Sequence, residues 1–244
     1  MRRICICFAY KGTRYSGLQK QPNHDTIQSQ VENALEKVTC QKINIYPSGR
    51  TDAGVHALKQ YAHFDTLSKI LTQNFVTALN TYLPPDIRIM SATEVDKDFH
   101  ARKNVKSKTY LYIVSTSKIT NPLLYDYVCE KKHDYDLKKI NEIKKLIEGT
   151  HNFKAFCASK SSANNFVRTV ESIEVEKKCD LILFKITGNG FLYNMVRIIV
   201  GTILDIADNK IPIENIAKMF ESGDRKFGGR TVCAKGLMLY DVKY

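Results

Sequence analysis

The sequence predicts an α+β fold built from two copies of one β-α-β-β-α-β unit, joined near residue 103. Three observations predict it. The same order of strand-like and helix-like segments runs on either side of that point. The strand-like segments are short apolar or alternating runs, and the helix-like ones carry apolar residues three and four apart. With 244 residues the chain can form one large domain or two small ones. We read a first half over 1–103 and a second over 104–244.

In the first half, Ile4-Cys5-Ile6-Cys7-Phe8-Ala9 is an unbroken apolar run, as in a strand buried on both faces. Asp25 stands as an N-cap with Gln28 three residues on, and Ile27, Val31, Leu35 and Val38 follow at helical spacing. Strands follow at 43–48 and 60–65, with a turn between them centred on Asp52. A helix over 69–80 is stopped by Leu83-Pro84-Pro85, and Ile87 to Val95 closes the half as a strand.

The second half repeats the order. Lys108 to Ser115 alternates, with Lys108, Tyr110, Tyr112 and Val114 on one face and Thr109, Leu111 and Ile113 on the other. Leu137, Ile140, Ile143 and Ile147 mark an amphipathic helix that stops at Gly149. Arg168 to Glu176 and Leu181 to Thr187 form a strand pair. Phe191 to Ala207 is a long helix, Ile213 to Glu221 a second, and Leu237 to Val242 a final strand. Lys160 to Asn165, rich in Ser and Asn, is expected to be a mobile surface loop. Each half has the order of ferredoxin-like and RNA-recognition modules, without the aromatic signature of the latter.

Thirty-seven Lys and Arg stand against 25 Asp and Glu, a formal net charge of +12 that favours a polyanionic partner, nucleic acid above all. The seven cysteines, an odd number without a Cys-x-x-Cys, read as reduced thiols of a cytoplasmic protein. Met1-Arg2-Arg3 precedes an apolar run too short for a secretory signal, and the Phe191–Ala207 stretch is broken by Asn194, Arg197 and Asp205, so no membrane partner is expected. No His-x-x-x-His pair, no Gly-x-Gly-x-x-Gly and no phosphate-binding Gly-rich Lys motif occurs, so neither a metal nor a nucleotide cofactor is expected.

Three places can carry chemistry. Ser48-Gly49-Arg50-Thr51-Asp52-Ala53-Gly54-Val55-His56-Ala57 sets an acid between two glycines and beside an arginine, in a turn between strands. A carboxylate there can sit at the floor of a cleft, with Arg50 favouring its charged form, as a nucleophile or base requires. Taken alone, the stretch also reads as an Asx-type turn. Arg197 lies on a nearly all-apolar helix and needs an anion, either a structural carboxylate or an active-site acid such as Asp52. Tyr110, on one strand face with Lys108, can stack on a nucleobase while the cation meets phosphate, or can be a core tyrosine.

Taken together, these segments resemble the TruA family of tRNA pseudouridine synthases along nearly the whole chain. The most specific element is Gly49-Arg50-Thr51-Asp52-Ala53-Gly54-Val55-His56-Ala57, which resembles the family's catalytic motif. It is accompanied by YKGTRYSGLQKQ over 10–21, Leu79-Asn80 with Leu83-Pro84, Asp98-Phe99-His100-Ala101-Arg102, and Lys108-Thr109-Tyr110-Leu111-Tyr112. Gly149-Thr150-His151-Asn152-Phe153, GFLYNMVR over 190–197 and Gly236-Leu237-Met238-Leu239 complete the set. Leu18 stands where the family often has tryptophan, and Val232-Cys233 replaces a common Ala-Pro.

The resemblance implies a cofactor-free isomerase that converts uridine to pseudouridine in the tRNA anticodon stem-loop, at positions 38 to 40. It implies two βαββαβ halves sharing a continuous, mostly antiparallel sheet, with helices on one side and a central cleft, working as a homodimer. Asp52 would be the catalytic aspartate, Tyr110 would stack on the target base and Arg197 would pair with the carboxylate. Arg14, Gln19, Arg50, Thr51, His56, Arg102 and Lys108 would bind the substrate, with Arg50 helping to hold the flipped-out position. The same residues also suit pseudouridine formation in another RNA, or a non-catalytic RNA-binding module.

Overall fold

A computed structural model describes residues 1–159 and 164–244, which divide into two compact units, Met1–Lys106 with Met238–Tyr244, and Ser107–Leu237. Of the expected loop at Lys160–Asn165, residues 160–163 lie outside the described residues.

The first unit contains strands β1 (Arg2–Tyr10), β2 (Tyr46–Pro47), β3 (His56–Thr66) and β4 (Ile87–Val95), with helices α1 (Ile27–Thr39) and α2 (Asn74–Tyr82). β1 lies between β3 and β4 and is antiparallel to both, with Ile4 opposite Phe64 on one side and Glu94 on the other. Ile4, Ile6 and Phe8 are fully buried, and Cys5 and Cys7 on the opposite face are nearly so, as the unbroken apolar run requires. The last strand of the chain, which we label β10 (Leu237–Lys243), runs parallel to β3 through Met238 opposite His56 and Leu239 opposite Ala57. α1 packs beside α2, and Phe75 of α2 meets Phe64 edge-on at 5.7 Å.

Local chemistry moves several boundaries. α1 is capped by Thr26 rather than Asp25: Thr26 accepts from the Ser29 N–H, and the Ser29 hydroxyl oxygen accepts from the Thr26 N–H. Asp25 instead accepts from the Gln30 side chain. The alternation at 43–48 is real, since Ile43 and Ile45 are buried, yet only Tyr46–Pro47 pairs with β3. The Ile45 N–H goes to the carboxylate of buried Glu32 in α1, which replaces a ladder partner. α2 begins at Asn74 because Thr66 and Ser68 turn their side-chain oxygens onto the N–H groups of Ser68 and Ile70, competing with a helix.

The second unit contains β5 (Ser107–Ser115), β6 (Cys129–Glu130), α3 (Leu137–Lys145), β7 (Gly149–Asn152), β8 (Val167–Lys178), β9 (Leu181–Gly188), α4 (Met195–Ala207) and α5 (Asn215–Ser222). β9 lies between β5 and β8, antiparallel to both, and β7 pairs with the far side of β8. β6 is a two-residue parallel addition to β5. The pairings in the two units are thus mostly antiparallel, in keeping with the α+β class expected. α3 packs on α4, whose Ile198, Ile199 and Ile203 are fully buried with Phe153, Phe156 and Phe184. α4 starts four residues later than the apolar run suggests, because Asn194 takes a left-handed φ of 60° and breaks the helix there.

Candidate functional site

In the first unit, Asp52 sits half-buried in the turn that leads into β3. Its own carbonyl accepts from the Val55 N–H at 3.1 Å, and Gly54 closes the turn with φ +76°. Behind the turn runs the segment that follows β1. The Thr51 carbonyl accepts from the Leu18 N–H at 3.0 Å, and the Thr51 hydroxyl is 2.7 Å from the Tyr10 hydroxyl. Burial pushes the Tyr10 phenol up to about 12, partly offset by its bonds to Thr51 and Gln60, so it remains a neutral partner.

Two glycines let that segment lie against the turn. A Cβ on Gly17, whose φ is +95°, would stand 2.8 Å from the Thr51 carbonyl oxygen and 3.3 Å from the Asp52 carbonyl carbon. A Cβ on Gly12 would fall 2.0 Å from the Val55 carbonyl oxygen. The Gly12 N–H also donates to Nδ1 of His56 at 3.0 Å. On the other side, fully buried Gln60 donates from its amide to the Gly49 carbonyl. The loop carrying Asp52 is thereby fixed by backbone contacts and by the side chains of Tyr10, Thr51, His56 and Gln60.

Thr51 and His56 are buried, at 8% and 3% exposure, and bond within this support. Arg50 and Gln19 are exposed. Arg14 is also exposed and pairs with Asp86 at 2.9 Å, while Tyr15 donates to the other oxygen of that carboxylate. Arg102 is exposed on the segment after β4, its N–H held by Nδ1 of His100.

In the second unit, Tyr110 stands on β5 opposite Ile186 of β9, 8% exposed, with Phe191 edge-on at 5.1 Å. Phe191 reaches it across Gly188, where a Cβ would stand 3.2 Å from the Phe191 ring and 2.5 Å from the Thr169 carbonyl oxygen. Lys108, half-buried, lies opposite Gly188 on the same strand face as Tyr110. Arg197 is half-buried on the first turns of α4. Its Nε donates to the Val232 carbonyl at 2.8 Å and its Nη1 to Oδ1 of Asn194 at 2.6 Å. The Val232 N–H returns to the Arg197 carbonyl at 3.4 Å.

The 229–232 segment lies tightly along α4. A Cβ on Gly201 would be 1.8 Å from the Arg230 carbonyl oxygen, and the Thr202 hydroxyl and Asp205 carboxylate take the N–H groups of Gly229 and Arg230. Arg197 is therefore aimed by a strap of chain as well as by its helix.

Tyr10, Gly12 and Gly17 meet the Asp52 turn, and Val232 meets Arg197, across more than thirty residues of chain, so residue type alone does not point to these contacts. Tyr10, Gly12 and Gly17 lie within the Tyr10–Gln21 segment, and Asn194 lies within GFLYNMVR over 190–197. Among the described residues no group of three or more His, Cys, Asp and Glu side chains is placed to hold a metal ion. Nor, among them, is any helix long and apolar enough to cross a membrane.

A family model described as tRNA pseudouridine synthase matches residues 6–102 and 143–244. Proteins named tRNA pseudouridine synthase A from Caldicellulosiruptor saccharolyticus and Acetivibrio thermocellus are 43% and 42% identical to this chain over 244 residues, covering all of both chains in each case. The protein of that name from Limosilactobacillus reuteri is 41% identical over 249 residues, covering 100% of this chain and 97% of its own.

Proposed function

Because the chain belongs to the tRNA pseudouridine synthase family, and so isomerises uridine to pseudouridine in tRNA, we propose that it acts on positions 38 to 40 of the anticodon stem-loop with Asp52 as the catalytic carboxylate. The observation that supports this most is the support of Asp52. Of the acids in the first unit, this one stands on a turn fixed from behind by Gly12, Gly17, Thr51 and Tyr10. Such rigidity is unnecessary for a solvated turn and is what a reacting group needs.

Isomerisation breaks the N1–C1′ bond, turns the uracil and rejoins it through C5, releasing the C5 proton. The base cannot turn within a stack, so it must be flipped out at a cost of a few kcal/mol. A carboxylate at 52 serves each route open to it: attack at C1′, addition at C6 or removal of a sugar proton. Tyr110 stacks on the uracil, its ring met edge-on by Phe191. Arg197 supplies positive charge to the reacting carboxylate.

Arg14, Gln19, Arg50, Arg102 and Lys108 bind the RNA, the cations through its phosphates, in keeping with the net charge of +12. Thr51 and His56, both buried, act by holding the Asp52 turn. No cofactor enters the reaction. The active assembly is a cytoplasmic homodimer, which sedimentation of the purified protein tests.

Site mapping tests the target. Unmodified tRNA and ribosomal RNA transcripts are each incubated with the protein, treated with carbodiimide and read by primer extension. Stops confined to positions 38 to 40 are expected. Stops elsewhere in tRNA, or only in ribosomal RNA, overturn the assignment.

A further inference from the structure

The second unit holds a group of side chains that the reaction does not use. Cys129 on β6 and Cys233, just before the turn that leads into β10, hydrogen-bond to one another. The hydroxyl of fully buried Tyr112 donates to the Cys233 carbonyl at 2.9 Å and lies 3.5 Å from its sulfur. Cys129 is buried and Cys233 is half-exposed, so Cys233 is the more accessible residue of the pair. Lys235 is two residues away, its ammonium 3.3 Å from Glu130 and over the Tyr125 ring.

The two sulfurs differ in chemistry. The Cys129 thiol as hydrogen-bond donor holds Cys233 well below the ordinary thiol range, and the Tyr112 hydroxyl and Lys235 add to this against the opposing effect of burial. Its bond to Cys233, together with burial, pushes Cys129 up. Tyr112 is pushed up by burial first, so it stays a proton donor beside the pair.

We propose that Cys233 is a modification site, a thiol that hydroperoxides and soft electrophiles attack first, and that Cys129 resolves its oxidised form. In the first step the Cys233 sulfur attacks the peroxide, its S–O bond forming as the O–O bond breaks. The sulfur is oxidised to a sulfenic acid and the peroxide is reduced to water or an alcohol. In the second, the Cys129 sulfur attacks the sulfenic sulfur, the S–OH bond breaks, and water leaves with the Cys129 proton. The product is a Cys129–Cys233 disulfide.

The position of this pair matters because Val232, the residue before Cys233, carries the carbonyl that holds Nε of Arg197 and the N–H that returns to its backbone. Pulling the Cys233 sulfur from Tyr112 towards a bond with Cys129 displaces that strap. The effect on turnover rests on the catalytic role proposed for Arg197, whereas the thiol chemistry stands without it.

Two measurements test the pair. In the reduced wild-type protein at pH 6, limiting N-ethylmaleimide followed by peptide mass spectrometry is expected to label Cys233 about tenfold faster than the exposed Cys40 and Cys179. Hydrogen peroxide is expected to give a Cys129–Cys233 linked peptide that dithiothreitol reverses. In Cys129→Ala, dimedone should instead capture a Cys233 sulfenic acid. Faster labelling of Cys40 or Cys179, or oxidised protein without the linked peptide, overturns the proposal. Oxidation should also lower tRNA turnover about tenfold, reversibly, and leave Cys233→Ala unaffected. A disulfide that forms without changing turnover overturns the link to Arg197.

Discussion

Gly17→Ala tests whether the turn carrying Asp52 is held by the segment behind it. Gly17 has φ +95°, a backbone conformation that costs a residue with a Cβ about 1–3 kcal/mol. The new Cβ would also stand 2.8 Å from the Thr51 carbonyl oxygen, closer than such atoms approach, and 3.3 Å from both the Asp52 carbonyl carbon and the Ala53 nitrogen. All three are backbone atoms, so relief comes from moving the turn by a few tenths of an ångström. A destabilisation of about 2 kcal/mol lowers Tm by about 4–8 °C in a chain of this size.

A 1 Å misplacement of a reacting group costs about a hundredfold in rate, so a shift of a few tenths of an ångström costs roughly fourfold to tenfold. Release of tritium from C5-labelled uridine in tRNA, under single-turnover conditions with saturating enzyme, reads that rate directly. Gly223→Ala is the control. Its φ is +66° and its Cβ would meet only the Lys154 side chain, so Tm should fall while the rate holds. A Gly17→Ala protein that turns over within twofold of wild type would refute the reasoning, because the turn would then not depend on this contact.

Arg197→Lys removes the Nε bond to the Val232 carbonyl and the paired geometry with Asn194. The single-turnover rate should fall about a hundredfold, with tRNA affinity changed less than threefold. Four cations assigned to RNA, Arg14, Arg50, Arg102 and Lys108, give a salt slope near −3, so tRNA binding should weaken roughly fifty- to a hundredfold between 50 and 200 mM salt in filter binding. His63 is buried, its Nδ1 accepting from the Ala101 N–H, and burial first, then the Arg3 charge, lowers it to about 4. The unfolded chain therefore takes up this proton before the folded one does. The resulting stability is complete above about pH 6.5 and is lost as pH falls towards 4, at up to about 1.4 kcal/mol per pH unit. His63→Gln should flatten the acid limb of Tm against pH.

The strands that satisfy their own pattern were the most legible parts of the sequence. Ile87–Val95 is found as expected, and Lys108–Ser115 within one residue, because each segment pairs along its length, with one bulge on β1 and an unbroken ladder on β9. Segments whose backbone groups are taken by distant side chains were less so. Glu32 claims the Ile45 N–H and shortens the second strand, and Asn194 delays α4 by turning left-handed where the apolar run continues.

The candidate site divides in the same way. Asp52, Tyr110 and Arg197 stood out as an acid in a glycine-flanked turn, an aromatic beside a cation and a lone charge on an apolar helix. Gly12 and Gly17 lie close to the Asp52 turn only after folding brings residues tens of positions apart into contact, and no local pattern carries that information. The 197 guanidinium, expected to need an anion, also donates to the neutral Val232 carbonyl and Asn194 side chain, and the first of these spacing along α4 could not indicate.

In the proposed reaction the carboxylate at 52 is chemically required, while RNA recognition is carried by other residues. Asp52→Asn keeps the size and hydrogen-bonding capacity of the side chain and removes its charge. Measured on the same C5-tritiated tRNA, the variant should bind with wild-type affinity and release no tritium above background. Release within tenfold of the wild-type rate by a folded, tRNA-bound Asp52→Asn protein would contradict that requirement.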